Sequence, residues 1–327
     1  MLVERKNLRI SLLVFFAILY IYIKNFYVEN QLNISIFSDL WNYWNFFEIS
    51  SSSNLPIIQF EPGFSIYTWV FSKFVSFNVY RDIIVVTVFF AMVFTCYKFS
   101  GRFYSAVIVS IFVLAFYTPL NAISEVALRQ GLAASILLIF LPKLMESTLR
   151  PWVGISIFAL IVSFHYSAVL PLVAFLLTYF VVRFIAFYVW LLFMFLYIIN
   201  FSGLVGIVLQ DVLMISADSL NDFNRLDVDY LLGFKWAFLL LSILPVVVAL
   251  LLGRLGFFSF AFLDFIKSKL MIFYFFSNSI AMCFSLSTFH DRFFIWSWIL
   301  IPVIFFWLSG YFKRMNYGRY EALSRHR

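Results

Sequence analysis

Charged residues are scarce in this sequence. Asp, Glu, Lys and Arg make up only 12% of the 327 residues, whereas 64% are hydrophobic; an ordinary soluble domain has a charged fraction of ~25%. Such a chain has too few charged residues to form the water-exposed surface of a globular protein, so lipid must be the solvent for most of its surface. The apolar runs are long and continuous, unlike the alternating strands of a membrane barrel. We therefore predict an all-α polytopic membrane protein.

Cysteine and histidine are also rare. Cys96 and Cys283 both lie in apolar runs, which argues against a disulfide framework. The three histidines, His165, His290 and His326, are far apart in the sequence and form no metal set. The sequence contains no GxxxxGK[ST] phosphate loop and no GxSxG nucleophile elbow. We expect no metal, no cofactor and no energy from nucleotide hydrolysis.

The net charge of +7 is spread along the chain. Lys and Arg stand singly between apolar runs and at the termini, which is the positive-inside pattern of membrane proteins and argues against a nucleic acid partner. A span needs roughly 20 apolar residues. The predicted spans are 8–26, 83–97, 103–118, 126–141, 152–164, 166–182, 184–204, 234–252, 270–288 and 293–309. These ten spans put both termini on the cytoplasmic side, in a single membrane domain covering residues 1–327.

Residues 64–77 are apolar but too short for an ordinary span. They include Lys73 and follow Glu61-Pro62-Gly63, where Pro and Gly interrupt regular structure. Counting this segment as a span would place Lys98 and the later basic loops outside. We therefore predict a re-entrant or interfacial segment that protein covers.

Eight charged or ionisable residues are left at the outer face or within it. An ionisable side chain at membrane depth costs several kcal/mol and normally faces a protein interior or a water-filled cavity, so such residues mark function. They are Glu61, Glu125, Arg129, His165, Arg225, His290, Asp291 and Arg292.

Two arginines in this set are candidate anion clamps. Glu125 and Arg129 have the i,i+4 spacing of one helix face, so they could form a structural ion pair. Alternatively Arg129 could bind phosphate oxygens with its planar guanidinium. Arg292 could be an interfacial anchor paired with Asp291, or a second clamp that converges with Arg129 on a diphosphate.

Two further residues are candidate bases. His165 lies at a junction between two apolar runs and could simply hydrogen-bond a neighbouring helix. An imidazole ordinarily titrates near neutrality, so His165 could also remove a proton from an attacking hydroxyl. Glu61 could cap a helix, bond sugar hydroxyls or compete with His165 as the general base.

Four short motifs occur in order along the chain. They are Glu61-Pro-Gly-Phe64, Leu128-Arg-Gln-Gly-Leu-Ala133, Ser163-Phe-His-Tyr-Ser-Ala168 and a late Arg292. Together they resemble the EpsG family of bacterial exopolysaccharide and O-antigen clusters, which is close in role to the Wzy-like O-antigen polymerases. The resemblance covers residues 60–307.

The resemblance implies a GT-C-like helical bundle in the bacterial inner membrane. The expected activity is to move a growing glycan, at the periplasmic face, from undecaprenyl diphosphate onto the next lipid-linked oligosaccharide unit. The expected partners are that lipid-linked oligosaccharide, membrane lipid and a chain-length regulator protein, without nucleotide sugar or obligatory metal. Arg129 and Arg292 would clamp the diphosphate and His165 or Glu61 would be the base. Further contacts to the substrate would come from Glu125, Arg225, His290 and Asp291.

Two other functions are compatible with these residues. A flippase or transporter of lipid-linked glycans would use the same arginines, but should show repeat symmetry and charges near the midplane. A membrane acyltransferase would use His165 or His290 as base and would need a route for the acyl donor. The sequence fits a polymerase better than it fits either of these two functions.

Overall fold

The computed structural model describes residue 15 and residues 39–117, 127–146, 149–203, 233–254, 262–286 and 290–309. Within these ranges every regular element is helical. The helices are α1 (Asp39–Ser52), α2 (Pro62–Ser72), α3 (Phe77–Ser100), α4 (Phe103–Phe116), α5 (Leu128–Leu144), α6 (Pro151–Val162), α7 (Val169–Phe180), α8 (Arg183–Ile198), α9 (Trp236–Arg254), α10 (Phe262–Ile266), α11 (Lys269–Cys283) and α12 (His290–Trp298), with a 3₁₀ turn at Tyr166–Ala168 before α7.

Among the described residues, three helical stretches are long and apolar enough to cross a membrane. They are α3, α9 and the stretch His290–Ser309 that begins with α12, and α6, α7, α8 and α11 are shorter apolar helices. Large apolar side chains such as Leu192 and Leu240 are more than half exposed, which suits a lipid solvent. The chain is thus all-helical where it is described and consistent with a helical membrane protein. The number of ten spans and the GT-C-like arrangement stay predictions, and predicted span 8–26 falls almost wholly outside the described residues.

The chain divides into two compact units. The first contains the described residues within Met1–Leu144, Ser156–Tyr166 and Ser309–Arg314, and the second contains those within Met145–Ile155, Ser167–Leu308 and Met315–Arg327. The expectation of one membrane domain stays a prediction.

The first unit has an aromatic core built from α1, α2, α3 and the start of α5. Apolar residues on α1 recur at helical spacing and turn inward, because Leu40, Tyr43 and Phe47 lie on one face. They pack with the following residues, all buried: Phe46, Phe64, Phe77, Tyr80, Ile84, Leu128 and Leu132. Ring pairs such as Tyr43 with Phe64, 5.6 Å between centroids, are in the edge-to-face geometry that aromatic rings prefer. This core fixes the ends of α2 and α5, where the charged residues lie.

The predicted re-entrant segment forms helix α2, which has 11 residues. A helix of this length is roughly 16 Å long, about half the hydrocarbon thickness of a bilayer. Lys73 follows α2 and its Nζ donates hydrogen bonds to the carbonyl oxygens of Ser50, at 3.0 Å, and Ser51, at 2.8 Å, and to that of Ser53. The lysine therefore stabilises the C-terminal end of α1, where carbonyl groups lack helical partners. The depth of α2 in the membrane stays a prediction.

The second unit contains a buried polar network centred on Asn278 of α11. Asn278 Oδ1 accepts a hydrogen bond from Trp190 Nε1 at 3.0 Å, and Nδ2 donates to Ser242 Oγ and Ser297 Oγ, both at 2.9 Å. The three partners come from α8, α9 and α12. Polar contacts of this kind stabilise helix packing where lipid provides no hydrophobic driving force between helices.

Candidate functional site

A close backbone contact in the first unit sets the position of Glu61. The amide of Gly63 donates to the carbonyl oxygen of Ser163 at 2.7 Å, and the amide of Phe64 approaches the same oxygen at 3.4 Å. A Cβ on residue 63 would lie 2.7 Å from that carbonyl oxygen and 2.5 Å from Ser163 Oγ, so only glycine permits the approach. The start of α2 is therefore held against the turn that carries His165.

The Glu61 side chain is buried and is bonded by three donors. Its Oε1 accepts from the Tyr166 amide at 3.1 Å and lies 3.2 Å from His165 Nδ1, and its Oε2 accepts from Arg129 Nη1 at 2.8 Å. Glu61 occupies the N-cap position of α2 but makes no side-chain cap bond there. The carboxylate is instead turned toward Arg129 and His165, which is how a buried charge is normally compensated.

These contacts determine the ionisation of Glu61. Burial alone raises the pKa of the Glu61 carboxyl, but the hydrogen bond with His165, the charge of Arg129 and the charge of His165 when it is protonated outweigh it and lower the pKa to about 2. Glu61 is therefore a carboxylate at neutral pH. A group with so low a pKa is a weak base.

Arg129, the second residue of α5, is held by polar and aromatic contacts. Its Nε donates to Tyr43 Oη at 3.2 Å, and the guanidinium carbon lies 4.5 Å from the centroid of the Phe60 ring and 5.7 Å from that of Tyr43. A guanidinium has five N–H donors. Two of them are used by Glu61 and Tyr43, and no acceptor for the other three occurs among the residues that the structure describes. With respect to the described residues, Arg129 thus has donors available for an anionic ligand, while Glu61 and Tyr43 fix its orientation.

His165 has one ring nitrogen directed at Glu61. Because the ionised carboxylate only accepts hydrogen bonds, Nδ1 must carry the hydrogen, and in a neutral imidazole the lone pair then lies on Nε2. The His165 side chain is 14% exposed, compared with 2% for that of Glu61. The arrangement of carboxylate, imidazole Nδ1–H and basic Nε2 is the one that orients a histidine for proton transfer.

The structure brings together three of the eight residues that the sequence singled out, namely Glu61, Arg129 and His165. Two others, Glu125 and Arg225, lie outside the described residues. The remaining three, His290, Asp291 and Arg292, begin α12 in the second unit. His290 is buried, with its ring centroid 5.2 Å from that of Phe238, whereas Asp291 and Arg292 are partly exposed. The convergence of Arg129 and Arg292 on one ligand stays a prediction.

Sequence reasoning missed two members of the site. Tyr43 and Phe60 lie between the first two predicted spans, 8–26 and 83–97, yet Tyr43 is on a regular helix and both rings contact Arg129. The signal for that helix was present, because Leu40, Tyr43 and Phe47 follow the i, i+3, i+7 pattern of one helix face.

Within the described residues no three His, Cys, Asp or Glu side chains are placed to hold a metal ion. Comparison of the chain with protein-family models, with curated proteins and with solved structures finds no significant match to any of them.

Proposed function

We propose that this protein is a polymerase of lipid-linked oligosaccharide repeat units, a glycosyltransferase of the bacterial inner membrane whose termini are both cytoplasmic. The observation that carries the proposal is the contact of the buried Glu61 carboxylate with Arg129 and His165, whose side chains are 20% and 14% exposed, in an otherwise apolar helical chain. A cation with available donors beside an oriented imidazole suits a reaction with an anionic leaving group and a hydroxyl nucleophile. An undecaprenyl-diphosphate-linked glycan and the acceptor sugar provide these two groups.

In the proposed reaction the bond between the anomeric carbon of the growing glycan and the diphosphate oxygen breaks. The hydroxyl oxygen of the acceptor sugar forms the new bond to that carbon, and its proton passes to His165 Nε2. Undecaprenyl diphosphate leaves with the electron pair of the broken bond. Arg129 would stabilise the negative charge that develops on this leaving group, in a site where water screens the charge poorly.

Of the two candidate bases, we favour His165. The low pKa of Glu61 makes its carboxylate a poor proton acceptor, whereas the same carboxylate is well placed to hold the Nδ1–H of His165. Glu61 is then a positioning residue that orients His165 and Arg129 together. Tyr43 fixes the other edge of the Arg129 guanidinium.

The experiment that tests this function is deletion of the gene, with analysis of the surface glycan and of the lipid-linked intermediates. If the protein is a polymerase, the deletion strain should lose the long polymer and retain single repeat units at the surface. Accumulation of the lipid-linked unit on the cytoplasmic leaflet would overturn the proposal in favour of a flippase. Unchanged glycan with an altered acylation pattern would overturn it in favour of an acyltransferase.

A further inference from the structure

A second basic site lies in the second unit, at the ends of three helices. A cavity of about 650 Å³ is bounded by the C-terminal end of α7, the turn before α8 and the start of α11. Two lysines, Lys267 and Lys269, line it together with the polar side chains of Thr178, Tyr179 and Ser268. None of the residues lining this cavity is acidic.

The two lysines are held differently. Lys269 Nζ donates to Tyr179 Oη and to the backbone carbonyl oxygen of Glu146, both at 3.0 Å, and lies 4.4 Å from the centroid of the Tyr179 ring. An ammonium group has three donors, so one remains beyond these two. Lys267 Nζ lies 4.2 Å from the centroid of the Phe184 ring and has no hydrogen-bond acceptor within the described part of the chain. The Glu146 carboxylate acts on Lys269 electrostatically, which leaves the group of charges net positive.

Backbone amides add to this positive end. Ser268 is the N-cap of α11, and its Oγ accepts from the Met271 amide at 3.3 Å. The amides of Lys269 and Leu270, in the first turn, have no acceptor within the helix. These two amides and the two ammonium groups offer several hydrogen-bond donors to one anion. A phosphate has enough acceptor oxygens to bind all of them.

The walls of the cavity indicate the source of that phosphate. Phe180 and Val182 line it and are 78% and 66% exposed, and α7 and α11 are apolar helices. An apolar surface that adjoins a cation pair at helix ends matches a lipid, whose phosphate lies at the interface and whose acyl chains lie beside the helices. A free phosphate would gain nothing from the two exposed apolar side chains.

We propose that the cavity formed by Lys267, Lys269, Tyr179 and the start of α11 binds the phosphate headgroup of an anionic membrane lipid. The site shares no residue with the Glu61, Arg129 and His165 cluster, and this inference does not depend on the polymerase function. Its role is to fix the ends of α7 and α11 by binding lipid.

The test is lipid binding by the purified full-length protein, measured by native mass spectrometry. Phosphatidylglycerol and phosphatidylcholine are offered in parallel, and inorganic phosphate is added as competitor in a third arm. We expect the wild type to retain phosphatidylglycerol preferentially and Lys267→Gln/Lys269→Gln to lose affinity on the order of tenfold. The matched control Lys98→Gln/Arg254→Gln removes the same charge from two exposed positions at the ends of other helices, and should retain the lipid.

Equal retention of phosphatidylglycerol by the double lysine variant and the wild type would overturn the proposal. So would an equal loss in the control variant, because general surface charge would then explain the binding. Displacement of the lipid by low inorganic phosphate would overturn the assignment to a lipid. If loss of the Lys269 hydrogen bonds prevents folding, the single variant Lys267→Gln replaces the double variant in the test. Lys267 makes no hydrogen bond within the described residues, and Lys267→Gln should still weaken lipid retention.

Discussion

Arg129 Nη1 lies 2.8 Å from Glu61 Oε2, although the two residues are 68 positions apart in the sequence. This ion pair joins the start of α2 to the start of α5, and it neutralises a carboxylate whose side chain is only 2% exposed. Removing one partner of such a pair leaves a buried charge uncompensated, which costs about 3–5 kcal/mol. On the other edge of the Arg129 guanidinium, Nε donates to Tyr43 Oη, which fixes the orientation of the side chain.

The first prediction concerns Arg129. Arg129→Ala should abolish chain extension, and Arg129→Lys should reduce it strongly, because a lysine cannot donate to Glu61 and Tyr43 with the same fork. Polymer length in a deletion strain carrying each variant is the measurement, with protein level followed in parallel. Arg102→Ala, at an exposed arginine before α4, is the control and should give normal polymer. Normal polymer from Arg129→Ala at normal protein level would remove Arg129 from the site.

The second prediction concerns pH. The pKa of Glu61 is lowered from an ordinary value of 4.5 to about 2, so its ionised form stabilises the folded protein at any pH above 4.5. That contribution is on the order of 3 kcal/mol and disappears as the pH falls from about 4.5 to 2. Thermal unfolding in detergent should therefore show Glu61→Gln less stable than wild type at neutral pH, with a difference that narrows in this acid window. Glu48→Gln, which changes an exposed carboxylate of α1, should show no such narrowing. A difference that stays constant down to pH 2 would contradict the low pKa.

The third prediction concerns Gly63. Gly63→Ala places a methyl group 2.7 Å from the Ser163 carbonyl oxygen, so the start of α2 must move away from the turn that carries His165. We expect loss of chain extension and a lower unfolding temperature. Gly253→Ala is the matched control, because a Cβ at that position of α9 meets no atom of another described residue within 4 Å. Equal activity of the two variants would show that the contact at Gly63 does not position the site.

The fourth prediction concerns the second unit. Asn278→Ala removes the acceptor of the Trp190 N–H and the amide donor to the hydroxyls of Ser242 and Ser297, which should destabilise the protein by roughly 2 kcal/mol. Ser279→Ala, one residue along α11, removes only a hydroxyl that bonds the Phe275 carbonyl within the same helix. It should unfold close to the wild-type temperature. Similar unfolding temperatures for the two variants would contradict the role of Asn278.

Much of the helical architecture could be predicted from hydrophobicity alone. The predicted span 103–118 corresponds to α4 (Phe103–Phe116), and 234–252 corresponds to α9 (Trp236–Arg254). Helix α1 was missed because its apolar residues alternate with polar ones, so it falls below the hydrophobicity of a span. An amphipathic helix of this kind is found by periodicity, which a search for long apolar runs does not measure.

The residues of the site could be predicted individually, but their partners could not. An ionisable side chain at membrane depth costs free energy, so the occurrence of Glu61, Arg129 and His165 was enough to mark them as candidates. The helical i,i+4 rule relates only residues of one helix, so it indicated Glu125 as a partner for Arg129 and could not indicate Glu61. Glu125 lies outside the described residues, and its pairing with Arg129 stays a prediction. The contact of Arg129 with Glu61 depends on how α1, α2 and α5 pack around the aromatic core, and a single sequence carries no direct record of that packing.

The most direct test of the proposed site uses the purified protein in liposomes with undecaprenyl-diphosphate-linked repeat units as donor and acceptor. We expect the wild type to form a ladder of longer glycans and to release one undecaprenyl diphosphate for each new linkage. We expect His165→Ala to bind the same lipid but to form no ladder. Ladder formation by His165→Ala at the wild-type rate would exclude His165 as the base.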